Sequence, residues 1–93
     1  MTAQPYRFAV PVARDPVLHE LPPLHLVDQL ITLHLTVRRD EDGAWRARLR
    51  FIDADEQVRE TAEIFCEASE SELWQSVRGM QHHHLRALYL SLA

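Results

Sequence analysis

The sequence predicts an α+β fold in which a three-stranded antiparallel meander packs against one C-terminal α-helix; a fourth strand joins if the N-terminal part enters the sheet. Apolar and polar residues alternate from Gln29 onward, a glycine-containing turn separates two such stretches, and a capping pattern precedes a long amphipathic run. At 93 residues the chain is one domain. We divide it into an N-terminal segment (1–28), the sheet (29–67) and the helix (69–92).

The N-terminal segment is the irregular part of the chain. All five prolines lie within its first 23 residues. Apolar side chains alternate early in it, at Tyr6, Phe8, Val10 and Val12. Pro11 interrupts this alternation and cannot donate a hydrogen bond to a neighbouring strand, so the stretch is at most an edge strand. Residues 14–26, RDPVLHELPPLHL, are interpreted as irregular and partly polyproline-like.

The next two strands form a hairpin. In the first, the core-facing residues are Ile31, Leu33, Leu35 and Val37; in the second, they are Ala47, Leu49 and Phe51. A three-residue loop, 41–43, in which Gly43 takes a positive φ, keeps the faces of the two strands matched. This register predicts the pairs Arg39 with Trp45, Thr36 with Arg48, and His34 with Arg50.

A third strand is predicted from Val58 to Cys66. The apolar residues Ala62, Ile64 and Cys66 suit its core face. The residues predicted to share the opposite, exposed face are Arg59, Thr61, Glu63, Phe65 and Glu67. On this interpretation the lone cysteine is a buried, inert side chain.

The C-terminal helix begins at a capping box, because Ser69 is followed three residues later by Glu72. Apolar residues then cover about half of the helix surface. One side of this arc extends beyond what a small sheet can cover; it comprises Trp74, Leu85, Tyr89 and Leu92. We expect the N-terminal segment or a second copy of the chain to cover it, and on this ground we predict a symmetric homodimer.

The charge of the chain favours a protein partner over a polyanion. Ten basic and fourteen acidic residues give a formal net charge of -4 with neutral histidines. Nucleic acids and anionic membranes attract clustered positive charge, so we expect neither as a general ligand, and a basic protein is the easier partner. No signal-peptide pattern and no membrane-spanning apolar stretch is present in the sequence, so we expect a cytoplasmic protein.

The sequence offers no recognisable catalytic or metal-binding pattern. Its two glycines, Gly43 in a turn and Gly79 in the helix, cannot form a phosphate-binding loop. His82, His83 and His84 are consecutive and point roughly 100° apart on a helix, so they cannot chelate one ion. We expect His84, inside the apolar arc, to be partly buried and hydrogen-bonded. We predict no enzymatic activity, no cofactor and no metal.

Three arginines lie at alternate positions of the second strand and share its exposed face: Arg46, Arg48 and Arg50. One interpretation is structural, because Glu63 and Glu67, or Glu60 in a shifted register, lie one strand away and can pair with them. The other is functional, with the arginines contacting phosphates or a partner protein.

A resemblance bears on the functional interpretation. The stretch DEDGAWRARLRFIDADEQVRE, residues 40–60, followed by a helix, resembles the three-stranded arm-binding domains of tyrosine recombinases, in which a glycine and a tryptophan open a strand of basic residues. The sheet of those domains enters the major groove, which implies DNA-facing roles for Arg46, Arg48 and Arg50. The chain departs from this pattern at residues 62–73, AEIFCEASESEL, which are acidic where the family tends to be basic.

The sequence therefore predicts a small interaction or regulatory protein, of the inhibitor, immunity or antitoxin kind. It would bind another protein through a charged sheet face and an apolar helix face. The residues predicted to contact the partner are Arg46, Arg48, Arg50, Trp74 and Tyr89. The alternative is a nucleic-acid-binding module that presents the same three arginines.

Overall fold

The computed structural model describes residues 15–92, which form an antiparallel sheet and two helices and confirm the α+β class. The strands are β1 Val17–His25, β2 Leu30–Arg39, β3 Trp45–Ile52, β4 Val58–Glu60 and β5 Phe65–Glu67; the helices are α1 Glu70–Arg78 and α2 His82–Ser91. The sheet order is β1-β2-β3-β4, and β5 also pairs with β3. Both helices lie on one face of the sheet, and no element within residues 15–92 covers the other, which we call the open face.

The β2–β3 hairpin forms in the register that its sequence predicts. Arg39 pairs with Trp45, and the arginines of β3 oppose even-numbered residues of β2. Gly43 has a φ of 85°, a value that strongly favours glycine. Asp40 organises the loop, because its Oδ1 accepts hydrogen bonds from the backbone N–H groups of Asp42 (2.9 Å) and Ala44 (3.0 Å).

An additional strand does lie within residues 1–28, but in the stretch whose sequence predicts irregular structure. β1 pairs antiparallel with β2, and its register shifts between Leu21 and Leu24. The shift contains Pro22 and Pro23, so the prolines fall where the pairing is already broken and where a missing N–H costs little. The predicted alternation at residues 6–12 lies outside the described residues.

The predicted third strand is divided into β4 and β5, and its predicted faces are wrong. Thr61 and Phe65 are buried, whereas Ala62, Ile64 and Cys66 are exposed. The chain bulges between the two strands in a way that keeps odd-numbered residues toward the helices on both sides of the bulge. Opposite the bulge, the backbone N–H of Leu49 in β3 donates to Thr61 Oγ1 at 3.0 Å. This side-chain hydrogen bond replaces a backbone bond between the strands.

The predicted single helix is also wrong, since α1 and α2 are separated at residues 79–81. Ser69 caps α1 as predicted, with the Glu72 N–H donating to Ser69 Oγ at 3.2 Å, but the Glu72 carboxylate accepts from the Ser69 hydroxyl at 3.0 Å instead of from the Ser69 N–H that a full capping box uses. α1 lies mainly against β3 and β5, whereas α2 lies against β1 and, through Tyr89, against Phe51 of β3. The break at Gly79, the weakest helix-forming position of the run, allows the two helices to make different contacts with the sheet.

Both layers meet in a core built from the odd-numbered residues of β2 and β3 together with side chains of both helices. Tyr89 is 3% exposed, its ring centroid lies 5.4 Å from that of Phe51, and the Arg59 guanidinium lies 4.3 Å from the same tyrosine ring. The sheet therefore covers much of the apolar arc of the helices, and Trp74, Leu85 and Leu92 are partly buried against the core. No helix within residues 15–92 is long and apolar enough to span a bilayer.

Candidate protein-interaction site

The open face of the sheet carries the arginines of β3, as the alternation predicts. Cross-strand pairing places Arg46 beside Arg38, Arg48 beside Thr36, and Arg50 beside His34. The side chains of these four arginines are between 35% and 41% exposed, so they lie along the sheet rather than extending fully into solvent.

Two of these arginines make hydrogen-bonded ion pairs. Arg38 donates to both carboxylate oxygens of Glu63, at 2.5 Å and 2.8 Å, and Arg46 Nε donates to Asp40 Oδ2 at 2.5 Å. The hydrogen bond from Arg38 lowers the pKa of the Glu63 carboxyl, and the one from Arg46 lowers that of Asp40. Both carboxylates are therefore held in the charged form.

Arg48 and Arg50 share one carboxylate. Each Nε lies 3.3 Å from Glu60 Oε2, but neither makes a hydrogen bond to it, and all three atoms are buried without a hydrogen-bond partner among the described residues. Glu20 lies on the same face, in the cross-strand row that contains His34. Arginines and carboxylates on this face are thus closely balanced, which supports the structural interpretation of the arginines. Of the predicted partner carboxylates, Glu60 and Glu63 contact arginines, whereas Glu67 accepts a hydrogen bond from Ser76.

An apolar groove lies on the other side of the sheet, between β1 and the two helices. It has a volume of about 510 Å³, within the range of roughly 300–1,000 Å³ that is typical of binding pockets. Its walls include Leu21, Leu24, Trp74, Val77, Met80 and Leu85. Pro22 and Pro23, at the register shift of β1, line the same groove.

Two basic side chains border this groove. Arg78, in the last turn of α1, is exposed and forms no ion pair within residues 15–92. His82 Nε2 lies 2.8 Å from the His25 carbonyl oxygen and ties the start of α2 to the end of β1. The groove is therefore apolar inside, with positive charge at one border.

The two aromatic residues predicted to contact a partner have different positions. Trp74 lines the groove and packs edge-on against His19, with ring centroids 5.0 Å apart. Tyr89 is buried in the core, and this position does not support the expectation that it belongs to an interaction surface. The sequence pattern does not predict the groove, because its β1 wall lies in a proline-rich stretch that argues against a strand.

His84 and Cys66 are more exposed than the sequence predicts. His84 is exposed rather than partly buried, and its Nδ1 accepts a hydrogen bond from the Gln81 N–H at 3.3 Å. Cys66 is exposed on the arginine face, opposite Arg46. Residues 15–92 contain no cluster of three potential ligands that could hold a metal ion.

Comparisons of the chain with protein-family models, with curated proteins and with solved structures give no match.

Proposed function

We propose that the chain is a small protein-interaction module that binds a segment of another protein in the groove between β1 and the helices. The observation that carries this proposal is an apolar groove of binding-pocket size with a basic border on a small domain. Apolar side chains left accessible in a concave site gain favourable burial when a partner covers them. A regulatory role of the inhibitor, immunity or antitoxin kind is compatible with such a module.

The chemistry of the groove specifies its occupant. Trp74, Val77 and Met80 favour apolar side chains, and Arg78 favours a carboxylate next to them. We therefore expect an apolar segment that carries an aspartate or glutamate at one end. The net charge of -4 on the whole chain additionally favours a partner that is basic outside this segment.

A displayed library of random peptides tests this proposal. The full chain is immobilised for selection, and enriched peptides are measured individually against wild type and three variants. Met80→Glu places a charge in the groove, Arg78→Glu reverses its border, and Ile64→Glu is the matched control at an exposed apolar residue outside the groove. We expect enriched peptides with apolar residues beside an acidic one, whose affinity falls at least tenfold in Met80→Glu and severalfold in Arg78→Glu.

Ile64→Glu should leave peptide binding unchanged. Circular dichroism of each variant establishes that it is folded. The groove would be refuted as the binding site if immobilised wild type enriched no more peptides than immobilised Met80→Glu. Peptides that bind all variants with equal affinity would refute it as well.

A second candidate function is nucleic-acid binding through Arg46, Arg48 and Arg50, favoured by the single carboxylate that Arg48 and Arg50 share. It requires that the chain bind a DNA or RNA duplex and that its affinity fall steeply with added salt and when these arginines are replaced by alanine. Fluorescence anisotropy with a labelled duplex at low salt measures this. Absence of binding at low salt would exclude it, and we expect that outcome.

The homodimer predicted from the sequence remains a proposal. The ground on which it was predicted is weakened, because β1 contacts α2, and His19 of β1 packs on Trp74 of α1. A different part of the molecule, the edge of the sheet, supplies a better argument for it.

A further inference from the structure

The two edges of the sheet differ in how well they are protected. One edge consists of β4 and β5, which have three residues each, are interrupted by a bulge and carry Arg59, Glu60 and Glu67. Short, interrupted and charged edge strands resist pairing with other chains. The opposite edge is β1, and within residues 15–92 no strand pairs with its outer side.

β1 carries apolar side chains at this outer edge. Val17 is 55% exposed and Leu18 is 50% exposed, although they are consecutive and point to opposite faces of the sheet. Such a strand presents backbone N–H and C=O groups together with apolar surface, the combination that favours strand addition.

The sequence of this strand suits pairing with itself. Prolines at positions 16 and 22 border the segment Val17–Leu21, and His19 lies at its centre. A two-fold axis through His19 would place Val17 opposite the partner's Leu21 on the helix face, and Leu18 opposite the partner's Glu20 on the open face. The apolar pair is therefore on the side where both copies carry their helices.

We infer that β1 is a dimer interface, in which Val17–Leu21 of two copies pair antiparallel about His19 and join the two sheets into one. Alternate residues of an edge strand direct both backbone groups outward, so this segment supplies roughly four to six hydrogen bonds between the copies. The interface lies outside the groove lining except at Leu21, so the dimer does not depend on the peptide site.

Light scattering of the full chain at roughly 50 µM, in the range of ordinary weak association, tests the dimer. We expect wild type to have the mass of two chains. Leu18→Glu, which places a carboxylate opposite the partner's Glu20, should be monomeric, and Leu90→Glu, its control at an equally exposed leucine of α2, should remain dimeric.

A monomeric wild type would refute the inference, whether because residues 1–14 cover this edge or because only a foreign strand pairs with it. A Leu18→Glu chain that is folded and still dimeric would equally refute it.

Spin labels test the register. With Cys66→Ser as background, labels are attached at Leu18→Cys or, as control, at Val58→Cys on the far edge. Strand spacing and residue rise place the two Leu18 Cα atoms about 8 Å apart in the proposed dimer, whereas Val58 lies three strands away from the interface. We expect strong dipolar broadening with the first label and none with the second. Weak coupling between Leu18 labels in a dimer would show that another surface mediates it.

Discussion

Replacing Thr61 by valine tests whether one hydroxyl holds the interrupted edge of the sheet together. Thr61 is 7% exposed, and its Oγ1 accepts the Leu49 N–H at 3.0 Å while donating to the Ala62 carbonyl at 2.6 Å. Valine keeps the volume but leaves the Leu49 N–H without an acceptor in the core. Such an orphaned buried group costs about 1–3 kcal/mol.

Valine also gains apolar burial, which offsets part of this loss in the free energy of unfolding. The added methyl group contributes up to about 0.8 kcal/mol of apolar burial, and the Ala62 carbonyl belongs to an exposed residue that water can solvate. The net loss in free energy of unfolding is therefore about 1–2 kcal/mol. For a domain of this size that lowers the melting temperature by roughly 5–15 °C.

Urea and thermal melts of Thr61→Val measure this loss, and Thr61→Ser is the control because it keeps the hydroxyl while losing only a methyl group. Hydrogen exchange of the Leu49 amide adds a local readout, since its protection should fall in the valine variant and persist in the serine variant. A valine variant as stable as wild type, or more stable than the serine variant, would refute the assignment of this role to the hydroxyl.

Three further predictions address other contacts. Gly79→Ala should stabilise the chain by roughly 0.5 kcal/mol in urea melts, because its φ of -75° suits alanine and an added Cβ would meet no atom closer than 3.4 Å; a destabilised variant would show that the helix break needs glycine. The pKa of Glu63 is lowered by the hydrogen bond from Arg38, so the stability that this pair contributes is present above the unfolded-state pKa near 4.3 and lost as pH falls through the folded value. Glu63→Gln should therefore lose less stability than wild type between pH 7 and pH 3, and parallel curves would contradict this. Arg59→Met should lower the free energy of unfolding by roughly 1 kcal/mol, because it removes the guanidinium over the Tyr89 ring and its 3.1 Å hydrogen bond to the Tyr89 carbonyl; unchanged melts would show that these contacts contribute nothing.

The hairpin could be predicted from the sequence because its determinants are local. Apolar alternation, the loop length and Gly43 together define the register, and no distant residue alters them. The start of α1 is local in the same sense, since the Glu72 N–H donates to Ser69 Oγ and the Ser69 hydroxyl donates to the Glu72 carboxylate. Where the nearest residues in sequence supply all the partners, pattern and structure agree.

The faces of β4 and β5 could not be predicted in this way, because tertiary contacts decide them. A charged arginine is unusual at a core-facing position. Arg59 is accommodated there because its guanidinium lies over the ring of Tyr89, thirty residues away, and donates a hydrogen bond to the Tyr89 carbonyl. Thr61 is likewise acceptable in the core because Leu49 supplies a donor. Burial of Phe65 on this face then outweighs burial of the smaller Cys66.

Tertiary context also explains why the sequence pattern does not predict the groove. Pro22 and Pro23 argue against a strand if each residue is judged by its own hydrogen bonds. At a register shift on an edge strand their missing donors are not required, and the bulge that they occupy forms part of the groove wall. The residues that conceal the strand in the sequence are thus among those that line the candidate site.

The ion pairs of the open face argue for the groove over the arginines as the binding site. A phosphate that approached Arg46 would have to displace Asp40, which is also held by two backbone donors of the hairpin loop. Glu63 occupies both donating nitrogens on its side of Arg38. Of the three paired carboxylates, Glu60 alone makes no hydrogen bond to its arginines and is the easiest to displace. A duplex gains affinity from several simultaneous phosphate contacts, and this face offers few without breaking existing ones. An apolar segment in the groove disrupts none of these pairs, so its burial contributes to binding without that cost.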